Sequence, residues 1–117
     1  MQKILTDLNK VAGVKGSMLV AEDGMVIASA LGPDLDKENV AAISSHMILT
    51  TKRSMEAMAL EKFSRFVLTS THGKMIFVEL PQPFTAYLVV ITPHLITLDA
   101  ILIEIDSTIL KIQHRRA

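Results

Sequence analysis

Cysteine is absent from the 117-residue chain. Disulfide bridges and thiolate metal sites are therefore excluded, and the reducing cytoplasm is the expected compartment. Tryptophan is absent too, and one tyrosine and four phenylalanines are the only aromatic residues. Charge of one sign is also missing. Twelve basic residues balance twelve acidic ones, and the isoelectric point is near 6.9. A nucleic-acid surface needs a positive stripe, so nucleic acid is not an expected partner. The amino-terminal stretch from Met1 to Asp7 has no uninterrupted apolar segment, so no signal peptide is expected. The longest uncharged run lies between Glu79 and Asp99. Pro81, Pro83 and Pro93 interrupt it, and Gln82 and His94 are polar. It reads as a strand and a helix start, and membrane insertion is not expected.

Catalytic motifs are equally scarce. Gly73-Lys74-Met75 has one glycine and no hydroxyl residue after the lysine, so it cannot form a phosphate-binding P-loop. His46, His72, His94 and His114 fall on different elements, and turn or surface histidines explain them better than a metal site. Glu22 and Asp23 sit side by side on a turn, where nothing buries them to shift a pKa for acid–base work. Ser44-Ser45-His46 looks like a nucleophile and a base. On a helix, however, adjacent residues point about 100° apart and cannot meet. The chain is expected to be no enzyme and to hold no cofactor or metal.

Apolar residues are what the chain has in quantity. They make up 50% of it, and the mean hydropathy is +0.39. That exceeds what a small monomer needs for its core, so part of the apolar surface is expected to be covered by another copy or a partner.

The pattern along the chain gives helix, two strands, long helix, three strands, helix. Ile4, Leu5, Leu8 and Val11 recur at helical spacing, and Gly13 suits a left-handed helix end. Ser17–Ala21 and Met25–Leu31 read as strands around Asp23-Gly24, which predicts a two-residue type I′ turn. Asp36 is a candidate helix cap and Glu38 places negative charge in the first turn. The long helix is expected to run to about Leu60. It carries two apolar stripes, one of Val40, Ile43, Met47, Ser54 and Met58, the other of Ala41, Ser44, Ile48, Met55 and Ala59. One stripe can pack on a sheet; the other needs a second element or subunit. Strands are expected at Ser64–Ser70, Met75–Leu80 and Phe84–Ile91, the last apolar enough to be central. A final helix is expected over Leu95–His114, with Pro93 in its first turn. Hairpin connections make the sheet antiparallel with helices on both faces.

These residues in this order resemble the Roadblock (dynein light-chain Roadblock) family, as a stand-alone prokaryotic-type member. The resemblance is carried by Gly13-Val14, Gly16, Asp23-Gly24, Ile27-Ala28, Ala41-Ala42 and Tyr87-Leu88-Val89-Val90, and it covers nearly the whole chain. It implies an α+β, profilin-like fold, α-β-β-α-β-β-β-α. The five-stranded antiparallel sheet would carry a long helix on one face and the terminal helices on the other, as a single domain over residues 1–117. It also implies a homodimer or heterodimer joined through the third strand and the long helix, acting as a non-enzymatic platform for a small Ras-like GTPase. On this chain the expected dimer interface is Ile43, Ser44, Met47, Ile48, Met55, Phe66 and Leu68. The continuous apolar Leu95-Ile96-Thr97-Leu98 departs from the polar or glycine break common in the family. Two other readings stand beside this one. A small-ligand sensory module would need a polar-lined pocket between sheet and helix. A light-chain-like structural subunit would need no GTPase. The basic tail of Lys111, His114, Arg115 and Arg116 reads as favourable charge at a helix end, or as a contact for an acidic partner.

Overall fold

A computed structural model describes residues 1–116. The side chains of Val11, Ala12 and Arg116 lie outside the described residues, and with them the expected places of Val11 on the first helix and Arg116 in the tail. The elements are α1 (Gln2–Ala12), β1 (Gly16–Ala21), β2 (Val26–Leu31), α2 (Lys37–Ala57), β3 (Arg65–Ser70), β4 (Gly73–Glu79), β5 (Ala86–Pro93) and α3 (Leu98–Arg116). The five strands form one sheet in the order β2-β1-β5-β4-β3, and every neighbouring pair is antiparallel. β5 is the central strand, as its run of apolar residues requires.

Period-two alternation along β5 divides the core between the two faces of the sheet. Leu88 and Val90 point toward α1 and α3, where they meet Leu5, Leu8, Ile101, Ile105 and Ile112. Tyr87 and Val89 point the other way and share a cluster with Met18, Val20, Ile48 and Phe77. α2 packs above β1 and β2 on that second face. Its N-cap is Asp36, in extended backbone, but the Asp36 side chain makes no capping hydrogen bond. α1 ends at Gly13, whose φ of 66° is the left-handed cap.

Asn9 ties α1 to the sheet. Its Nδ2 donates to the Ala30 carbonyl at 2.7 Å, and its Oδ1 accepts from the buried Ser17 hydroxyl at 2.8 Å. These bonds satisfy polar groups that the helix would otherwise seal from water.

Three local expectations are corrected. The β1–β2 turn is a three-residue loop, not a two-residue type I′ turn. The Gly24 amide donates to Ala21 O and the Ala21 amide to Met25 O. Only Gly24, at φ 94°, has positive φ; Asp23 does not. Asp23 instead accepts the Met25 amide on its carboxylate at 3.0 Å, the Asx geometry that aspartate favours. Second, Pro93 closes β5, and α3 starts at Leu98. The turn between them is held by Lys74, whose Nζ donates to the carbonyls of His94 and Ile96. Third, α2 stops at Ala57, and the connection to β3 then passes through left-handed Ala59 and Glu61.

Candidate partner interface

Burial cuts across the two apolar stripes of α2: Val40 of the first is buried, and Ala59 of the second lies beyond the helix end and is exposed. Ala41, Ser44 and Ile48 are buried against the sheet. Ile43, 49% exposed, and Met58, 58% exposed, face away from the core. Met47 and Met55 are half-buried at its margin. Two of the seven expected interface residues, Ser44 and Ile48, therefore lie inside the protomer at 0% exposure and support the helix from beneath. The helical repeat makes both stripes visible in sequence, but nothing in it says which of two apolar stripes meets the sheet.

β3 supplies the second part of the surface. Phe66 and Leu68 project on the same face of the sheet as α2. Phe66 stacks on Phe77 with ring centres 4.4 Å apart and receives the edge of Phe63 at 5.0 Å. Leu68 lies opposite Met75 in the ladder and is 39% exposed. α2 covers β1 and β2, which leaves a furrow of about 380 Å³ over β3 and β4. Leu35, Leu68, Met75 and Ile91 line it, with Lys15, His72 and Lys74 also along its walls. Ile43, Met47, Met55, Phe66 and Leu68 thus fall on one side of the sheet.

The two sheet edges differ. β2 is interrupted by a bulge, where Leu19 pairs with Ala28 but Val20 pairs with Val26. A bulge twists an edge and spoils it as a template. β3 pairs only with β4 and keeps an unbroken register over six residues. It contains no proline, and Arg65 is its one charged residue.

A second concavity, of about 470 Å³, opens at the end of the sheet below the carboxyl end of α2. Lys52, Glu56, Glu61, Lys62, Phe63, Glu79 and Tyr87 line it. Lys52 is ion-paired with Glu22, and the Tyr87 hydroxyl donates to Glu79 Oε2 at 3.4 Å. Burial, with the carboxylates of Glu79 and Glu22 adding to it, pushes the Tyr87 phenol well above its ordinary pKa. Sequence reading assigned no role to this cluster, because Glu22, Lys52, Glu79 and Tyr87 are brought together only by the strand order. Among the described residues no three His, Asp or Glu side chains gather as a metal site. No described helix is long and apolar enough to cross a membrane.

A five-stranded antiparallel sheet with one helix on one face, two on the other, one open edge and a half-covered helix defines a class of small α+β modules. The chain belongs to the Roadblock/LC7 domain family, whose model matches residues 1–92. It is 33% identical over 113 residues to the uncharacterized protein MJ0714 of Methanocaldococcus jannaschii, covering 97% of this chain and 93% of that one. Among solved structures, Myxococcus xanthus MglB superposes with a TM-score of 0.86 at 17% identity, over 95% of this chain and 83% of the other. A Roadblock/LC7 domain from Streptomyces avermitilis gives 0.85 at 13% identity, over 98% and 96%.

Proposed function

We propose that the chain, as one domain over residues 1–117, is a cytoplasmic homodimeric platform that binds a small Ras-like GTPase and carries no catalytic activity of its own. The observation that carries this reading is the open β3 edge together with an uncovered apolar side of α2 on the same face of the sheet, with the furrow over β3 and β4 left open. A second copy adds its β3 to that edge, which extends the sheet through main-chain hydrogen bonds. Its α2 fills the furrow above Leu68, Met75 and Ile91 and covers Ile43 and Met47. One contact of this kind hides both surfaces, and a two-fold axis makes it self-complementary. The GTPase part of the reading rests on the family to which the chain belongs. The dimer would act on the GTPase by binding one nucleotide state better than the other, which shifts its population.

The test is co-purification with each small GTPase encoded beside this chain, loaded with GDP or with a GTP analogue, followed by labelled-nucleotide exchange. Binding that differs between the two states supports the platform. No binding in either state, with unchanged exchange and hydrolysis, overturns it and leaves the light-chain-like structural role.

One observation favours a second reading, that of a ligand sensor: the charged concavity around Tyr87 and Glu79. Its wall of Glu56, Glu61 and Lys62 is exposed, so it is an open notch and not an enclosed chamber. Tyr87 is the chain's one tyrosine and no tryptophan is present. Its fluorescence therefore reports directly on any small molecule that enters, and a saturable change would favour the sensor.

A further inference from the structure

We propose that α3 is a second self-association surface, through which two copies pair as a short antiparallel coiled coil on the side of the sheet opposite α2. α3 buries Ile101, Ile105, Thr108 and Ile112 against the protomer. Its outer side carries Ala100, Ile103, Ser107, Leu110 and His114, all exposed. Their spacing of three, four, three and four residues is the seam of a coiled coil. Ile103 is 68% exposed and Leu110 56%, among the most exposed large apolar residues described. A lone amphipathic helix on a sheet needs one apolar stripe; this one also presents Ile103 and Leu110 on the side away from the core. The outer stripe extends over about 21 Å at helical rise.

Charge identifies the occupant as a second copy. Glu104 and Lys111 lie seven residues apart along one flank of the seam, and among the described residues neither has an ion-pair partner. Laid antiparallel about a two-fold axis, that flank meets itself. Glu104 then faces the second copy's Lys111, and Lys111 faces the second copy's Glu104. In that register Ile103 sinks between Leu110 and His114 of the facing helix, and Leu110 between Ile103 and the small Ser107. On the other flank Asp106 is already matched within the protomer by Arg65 at 4.0 Å, Gln113 is neutral, and Asp99 at the helix start lies toward the facing helix's basic carboxyl end, where Arg115 stands. A parallel arrangement would set Glu104 against the second copy's Asp99 and lose this match. The family model ends at residue 92, so this surface lies in the part of the chain outside the matched stretch.

The inference goes beyond the α2–β3 dimer and is independent of it, since α2 and α3 occupy opposite faces. A chain with two different two-fold contacts forms a tetramer if they close and a larger assembly if they do not. Light-scattering mass at high micromolar concentration tests it, with circular dichroism confirming that each variant folds. The expected result is a species larger than a dimer, reduced to a dimer by Ile103→Asp with Leu110→Asp. Glu104→Lys alone and Lys111→Glu alone each weaken this association about tenfold, and the two together restore it to within about threefold. Ile43→Asp with Leu68→Asp, aimed at the other face, leaves the α3 pair intact as a dimer, which separates failure of one contact from failure of the other. An unchanged mass in Ile103→Asp with Leu110→Asp overturns the inference. So does a charge swap that stays as dissociated as its single components.

Discussion

At the scale of single residues, polar groups that the core encloses make the firmest predictions. Asn9 was silent in the sequence, a polar residue on the first helix with no pattern to single it out. In the fold it bridges α1, β1 and β2 through Ala30 O and Ser17 Oγ. Asn9→Ala should cost about 2 kcal/mol of unfolding free energy, because it strands a carbonyl and removes the shorter of the hydrogen bonds made by the buried Ser17 hydroxyl. A urea titration that moves the midpoint without changing the slope would show it. Tyr87 gives a second case. Its pKa is raised by burial first and by Glu79 and Glu22 next, so the folded state holds the phenolic proton more tightly than the unfolded chain. That contribution is complete below the unfolded tyrosine value near pH 10 and is lost as pH rises beyond it. Phenolate absorbance should therefore appear well above the ordinary tyrosine range, or together with alkaline unfolding. Glu79→Gln, which removes one of the two carboxylates, should bring the midpoint down. A phenol that titrates as free tyrosine in the folded protein would contradict the buried placement.

At the scale of elements, the strands and helices were legible because each has one dominant period. The unbroken apolar run of β5 and the left-handed stop at Gly13 are both local signals. What was illegible depends on neighbours. The turn at Asp23-Gly24 takes three residues because the strands pair Ala21 with Met25, and Asp23 then prefers an Asx turn to positive φ. The bulge in β2 lies opposite Leu19 and Val20, so it depends on a partner strand that periodicity within β2 does not reveal. The two stripes of α2 were both visible, yet their assignment needed the sheet. That assignment can be tested by contrasting two isoleucines five positions apart. Ile48→Ala empties a fully buried site and should destabilise the protomer by about 2–5 kcal/mol. Ile43→Asp, at a half-exposed site, should change the protomer's own stability by about 0.5 kcal/mol or less. It should still dissociate the dimer, which light scattering reads directly. If the effects were reversed, with Ile43 costly to folding and Ile48 neutral, α2 would be rotated relative to the placement described here.

At the scale of the whole molecule, the same surplus of apolar residues that stood out in the composition reappears as defined surface: Ile43 on α2, Met58 just past its end, Leu68 on β3, Ile103 and Leu110 on α3. One sheet with three helices has only two faces in which to hide side chains, and α2 covers half of one. Association then becomes part of stability. If unfolding starts from a dimer, the folded side of the equilibrium depends on protein concentration while the unfolded chains do not pair. A tenfold increase in concentration should add about 1.4 kcal/mol per dimer to the apparent stability, and the melting temperature should climb accordingly. Ile43→Asp with Leu68→Asp should lower the melting temperature of a concentrated sample toward that of a dilute one and flatten most of the concentration dependence, leaving only what α3 pairing supplies. Adding Ile103→Asp and Leu110→Asp should flatten the remainder. A wild-type melting temperature that stays constant over a hundredfold range of concentration would mean that these surfaces face water in the folded protein. The platform would then lack the second copy on which its composite face is built.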